Sequence, residues 1–72
     1  MRFEKGTIPR STRVRMVGVM PNDPDPIEVG TEGTVTQDGP NEFGQIDVKW
    51  DSGRTLMLLA NDPFEIIGQV SL

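Results

Sequence analysis

Glycine and proline decide most of what this chain can become. Eight glycines and six prolines stand among its 72 residues. They break any long helix, because proline lacks the N–H and clashes with the preceding turn, while glycine loses the most backbone freedom on ordering. Val, Ile, Leu, Met and Phe fall in clusters between these breaks. That pattern points to short strands joined by turns. A chain of this length has room for one small domain, which buries only roughly 60% of the surface it exposes unfolded, so the core must be compact.

Residues 1–12 show neither a period of 2 nor one of 3.6, and Gly6, Pro9, Ser11 and Thr12 argue for an extended arm. From Arg13 the chain alternates as Arg-Val-Arg-Met and is rich in β-branched residues, so a first strand is expected with Val14 and Met16 buried. Val17 and Val19 then face the other way. The stretch from Met20 to Gly33 holds three prolines and reads as a long, stiff, acidic loop. Asn22 and Asp23 can form Asx-turns there, Ile27 and Val29 are expected to anchor the loop, and Gly30 and Gly33 to adopt positive φ. A second strand is expected over 33–37 with Val35 inward, followed by a loop over 38–44. Residues 45–50 give the cleanest alternation, with Ile46, Val48 and Trp50 on one face and Gln45, Asp47 and Lys49 on the other. Asp51-Ser52-Gly53 suits a tight turn with Gly53 left-handed, and residues 54–59 return antiparallel. Residues 60–63 make one tight helical turn before a last strand over 64–67. Leu56, Leu58, Phe64 and Ile66 complete the expected core.

The missing residue types exclude much chemistry. Without Cys or His the usual ligands of zinc, iron–sulfur and haem sites are lacking, as are thiol nucleophiles and imidazole bases. Serines 11, 52 and 71 fall in arm, turn and tail, and no catalytic constellation stands out. Asp23, Asp25 and Glu28 do not have the spacing of an EF-hand loop, so neither metal nor cofactor is expected. No apolar run approaches the roughly 18 residues of a membrane span, and no signal peptide is read. With no disulfides to form, a cytoplasmic location is the expectation.

Charge is unevenly placed. Five of the seven basic residues (Arg2, Lys5, Arg10, Arg13, Arg15) lie in the first fifteen positions against Glu4 alone, which gives that stretch +4. The remainder sets Lys49 and Arg54 against ten acids, a balance of -8. An acidic body repels the phosphate backbone, so non-specific nucleic-acid binding is disfavoured.

The strand order is the plan of an all-β, small five-stranded SH3-like barrel: an arm over 1–12, the barrel over 13–67 with a long loop after the first strand, and a tail over 68–72. A partly open barrel of the OB type is the alternative. Val14-Arg15, Asn22-Asp23-Pro24, Gly30 to Val35, Gly44 to Gly53 and Asp62 to Ile67 together resemble an uncharacterised family of short SH3-like domains from bacteria and their phages. Gly-Thr-Val followed by a Trp-Asp-x-Gly turn is similar to Mib/HERC2, KOW and Tudor-type barrels as well. The resemblance implies a fold and carries no assigned activity.

Two sets of residues are candidates for binding. In SH3-like barrels the long first loop and the middle loop lie side by side, which would join Asp23, Asp25, Glu28, Glu42 and Phe43 in an acidic face with one apolar anchor. Such a face suits a basic patch on a partner protein. Phe43 is either folded onto the barrel end or offered to that partner. Arg10, Arg13, Arg15 and Arg54 form the second set, an anion-binding strip that symmetric homo-oligomers could wrap around a nucleotide. The first functional reading is therefore a non-catalytic protein that binds another protein stoichiometrically, as a phage or mobile-element inhibitor of a host defence factor would. The second is an oligomer that sequesters an anionic small molecule, and the third a nucleic-acid-associated barrel. Trp50 is assigned to the core by its phase with Ile46 and Val48, with its indole N–H reaching a loop carbonyl.

Overall fold

Alternation becomes structure first at β1 (Thr12–Met16), where Thr12, Val14 and Met16 point inward and Arg13 and Arg15 outward. The computed structural model describes residues 8–21 and 23–69. Most of the basic arm, Asn22 with its expected Asx-turn, and the end of the tail lie outside the described residues. The remaining strands are β2 (Glu32–Val35), β3 (Gln45–Ile46), β4 (Val48–Trp50), β5 (Leu58–Leu59) and β6 (Phe64–Gln69). All pairings are antiparallel. Four strands form one sheet in the order β4-β2-β1-β6, and β3 and β5 form a separate pair.

The fold is all-β, but the expected five strands in one closed barrel are not what forms. The third expected strand divides at Asp47, with β3 pairing to β5 and β4 pairing to β2. Its side-chain phase survives the break, since Ile46, Val48 and Trp50 are all buried. One continuous run therefore serves two sheets and lets both cover a single core. The expected fourth strand shrinks to two residues, and the last strand runs two residues beyond its expected end, with a register shift against β1 between Arg13 and Val14.

Val14, Met16, Val35, Ile46, Val48, Trp50, Leu58 and Phe64 are buried, with Leu56 and Ile66 packed against them. Ile8, Met20 and Ile27 join this core. Ile8 is fully buried and exchanges backbone hydrogen bonds with Gly39 at 2.7 and 2.9 Å. The described end of the arm thus contributes to the core, which periodicity could not reveal because a single apolar residue has no period. Ile27 anchors the first loop as expected, whereas Val29 is half exposed and does not.

Gly30 and Gly53 adopt positive φ, 93° and 89°. Gly33 does not, and the reason for a glycine there is room. A Cβ on Gly33 would stand 2.6 Å from Val48 Cγ1 and 2.9 Å from Trp50 Cε3, so two opposed β4 side chains occupy the space that any other residue would need.

Two substitutions check this packing by urea denaturation. Gly33→Ala is expected to cost about 1–3 kcal/mol through overpacking. Ile8→Ala is expected to cost about 2–5 kcal/mol, and an unchanged midpoint would return Ile8 to a loosely attached arm.

Candidate functional site

The outer face of the four-stranded sheet collects the arginines that the sequence marks out. β1 turns Arg13 and Arg15 outward, and the register puts Thr34 opposite Arg13 and Glu32 and Glu65 on either side of Arg15. Arg13 donates from Nη1 and Nη2 to both carboxylate oxygens of Asp51, at 2.9 and 2.7 Å, a fork-to-fork pair. It donates further to Glu32 Oε1 at 3.1 Å and Thr34 Oγ1 at 2.9 Å. Arg15 pairs with Glu65 and stands 3.9 Å from Glu32. Hydrogen bonds to Asp51 above all hold the Arg13 guanidinium in its charged form, and the same bonds hold the Asp51 carboxyl below its usual range. These side chains staple β1 to β2, β6 and the turn after β4.

Arg54, across the turn, donates to the Asp25 carbonyl at 2.7 Å and lies 3.3 Å from the Asp25 carboxylate, which ties the first loop to the 51–53 turn. Arg10 gives its backbone N–H to Asp38 Oδ1 at 2.8 Å and makes no side-chain ion pair among the described residues. The expected anion strip is thus dispersed. Arg13, Arg15 and Arg54 are each engaged by carboxylates of the chain's own acidic body, and a ligand would have to displace those partners.

The expected acidic face also divides. β2 runs from Glu32, where the first loop ends, to Val35, where the middle loop begins, so the two loops leave opposite ends of one strand. Asp23, Asp25 and Glu28 stay at the end near the 51–53 turn, where Asp23 Oδ1 accepts the Asp25 N–H at 2.9 Å in the expected Asx-turn. Glu42 and Phe43 stand at the other end. No hydrogen bond or ion pair among the described residues joins the two groups.

The middle loop is closely built. Asn41 Oδ1 accepts the N–H groups of Phe43 and Gln45 at 2.9 and 3.0 Å, the Asn41 carbonyl accepts the Gly44 N–H at 2.9 Å, and the Asn41 side-chain amide donates to Gln45 Oε1 at 3.2 Å. Gly44 takes φ 75° to complete the turn. One asparagine thereby fixes the backbone on both sides of Phe43. The phenyl ring is left 74% exposed. Beside it the Gly44 carbonyl accepts the Ala60 N–H at 2.9 Å, and the pair continues as Gln45↔Leu59 and Ile46↔Leu58. Leu58 is buried and Leu59 half exposed, and Met57, two residues before Leu59 and so on the same face of an extended chain, is also exposed. Phe43, Leu59 and Met57 are thus three exposed apolar residues of one hairpin, with Gln45 across from Leu59 and, by the same register, Asp47 across from Met57. Leu59 and Met57 have no place among the sequence candidates, although alternation with Leu56 and Leu58 puts both on the outer face.

The chain belongs to DUF4314, a domain of unknown function whose family model matches residues 2–67. No curated protein and no solved structure matches it. For a DUF4314 chain the chemistry of a site has to come from its own geometry. Among the described residues no group of three or more acids converges as a metal site, and no buried side-chain polar atom lacks a partner.

The Asp51–Arg13 pair makes stability depend on pH in one direction. Because folding lowers the Asp51 pKa, its contribution is present above the ordinary carboxylate value, about 4, and is lost as pH falls through the lower folded value. The contribution is small, no more than about 1 kcal/mol, because the carboxylate lies largely in water. Asp51→Asn should accordingly be less stable than the parent at pH 6, with the gap narrowing as pH falls below the ordinary carboxylate value. A gap independent of pH, read from urea midpoints, would show that Asp51 does not act through its charge.

Proposed function

We propose that this chain is a small, non-catalytic binding module that acts by stoichiometric association with another protein. The observation that carries the reading is Phe43, an aromatic ring 74% exposed on a backbone held rigid by Asn41. Exposing a phenyl ring is unfavourable for an isolated domain, and a pre-ordered loop loses little freedom when the ring inserts into a pocket. Leu59 and Met57 extend the contact, and Glu42 and Asp47 add negative charge beside it. The complementary partner surface is an apolar pocket with a basic rim, approached faster at low salt.

The docking face in this reading is Phe43, Leu59 and Met57 with Glu42, in place of a single face that also held Asp23, Asp25 and Glu28. An SH3-like relationship fits the run that passes from one sheet to the other at Asp47 and the tight turn at Gly53, which are features of small, strongly bent β-domains. A phage or mobile-element inhibitor of a host defence factor, working in the host cytoplasm, is the biological role that suits such a module. No helix among the described residues is long and apolar enough to cross a membrane. Nucleotide sequestration by an oligomer is less favoured, because Arg13, Arg15 and Arg54 are already matched to carboxylates.

Phe43→Ala is expected to abolish capture of the partner in an affinity pull-down from host lysate while leaving the urea midpoint within about 0.5 kcal/mol of the parent. Undiminished capture by the variant would reject this docking face. Retention of a nucleotide on the purified chain would favour the sequestering reading instead.

A further inference from the structure

The hairpin that carries Leu59 and Met57 does not close along its length. Its register, set by the Gly44–Ala60 bond and by Gln45↔Leu59 and Ile46↔Leu58, continues to put Val48 across from Leu56 and Trp50 across from Arg54. The other edge of β4 shows which backbone groups are left for that pairing. Thr36 N–H donates to the Asp47 carbonyl and Asp51 N–H to the Glu32 carbonyl, both at 2.9 Å, so the odd-numbered residues Asp47, Lys49 and Asp51 direct their backbone groups toward β2. Those of Val48 and Trp50 must point the opposite way, toward Arg54–Met57.

The expected bonds are not made there. The Trp50 carbonyl accepts the Gly53 N–H of the turn at 2.9 Å. The Leu56 carbonyl, which the ladder would give to the Val48 N–H, accepts the Trp50 indole N–H at 2.7 Å. Among the described residues, Val48 N–H, the Val48 carbonyl and Trp50 N–H make no backbone hydrogen bond to residues 54–57. Val48 and Trp50 are 4% and 1% exposed and line an open groove, so water standing in that groove is what these groups meet in place of the ladder. The groove, of about 370 Å³, opens between β4 and the returning segment, and Val48, Lys49, Trp50, Gly53, Arg54 and Thr55 are among the residues that line it.

We propose that Arg54–Met57 is a two-position segment with the Trp50 indole as its latch. In the open position the indole holds the Leu56 carbonyl and the groove is present. In the zipped position the indole releases that carbonyl, Val48 and Leu56 exchange both backbone hydrogen bonds, and the groove closes as the ladder runs unbroken from Gly44 to Gly53. Met57 belongs to this segment and Leu59 follows it, so zipping reshapes the hairpin around its exposed apolar residues. A partner that recognises one shape selects that position. Only this last consequence rests on the proposed binding function, since the two positions are properties of the hairpin itself.

Amide hydrogen exchange followed by NMR on the full chain tests the latch without any partner. In the parent protein the Val48 amide should exchange at least ~100-fold faster than the Lys49 amide, which is paired to β2, while the Trp50 indole proton is protected. Equal protection of Val48 and Lys49 would mean a closed ladder and would overturn the proposal. Trp50→Phe keeps an aromatic ring and removes the latch, so Val48 protection should rise toward that of Lys49. A folded variant in which Val48 still exchanges fast would overturn the latch. Should that variant not fold, the parent decides alone: a slow indole proton with a fast Val48 amide supports the latch, and a fast indole proton rejects it. Partner capture by Phe43→Ala reports on the binding function and leaves this result untouched.

Discussion

Everything else in the domain depends on the close approach of β2 and β4 at Gly33. The lack of a side chain there lets Val48 and Trp50 pack directly against the β2 backbone, and Trp50 is the largest fully buried side chain of the core. With the indole seated, β4 holds the edge of the four-stranded sheet and the same run can cross at Asp47 into the second sheet. Ile8, Ile27 and Leu58 then close around the shared interior. In a chain this small the core has few residues, and a glycine that permits one large ring to be buried contributes more than its own surface suggests.

Charge works at a second level. The basic beginning and acidic remainder of the chain meet on the outer face of the sheet, where the guanidinium groups of β1 bridge carboxylates from β2, β6 and the turn after β4. Arginine suits this role because its planar fork serves several acceptors at once. The network engages the charge of Arg13 and Arg15 that would otherwise recruit anions. At the end of β2 away from the first loop stand instead the exposed apolar residues Phe43, Leu59 and Met57.

Much of the fold was legible because period-2 alternation is local. Val14 and Met16, and Ile46, Val48 and Trp50, are inward in the structure as the sequence reads. The Asp23 turn, the positive φ of Gly30 and Gly53 and the bond from the Trp50 indole to a loop carbonyl follow equally from short-range chemistry. Ile8 was not legible, because its burial comes from a bridge to Gly39, thirty-one positions away in the chain. Gly33 reads as a turn glycine, because sequence does not distinguish freedom of φ from lack of space. The candidate site was legible in part: Phe43 is conspicuous among Gly, Asn and Glu, whereas alternation puts Leu59 and Met57 on the outer face without saying that nothing will cover them.

The sequence by itself determined that this is an all-β chain of short strands, without cysteine or histidine, whose core residues alternate along a few segments. Those properties depend on residue type and on neighbours a few positions away. Tertiary structure alone decided that the third run serves two sheets, that Arg13, Arg15 and Arg54 spend their charge on the chain's own acids, and that Ile8 is buried against Gly39. Each of these is a pairing between distant segments, and side-chain periodicity says which way a residue faces without saying what it will face.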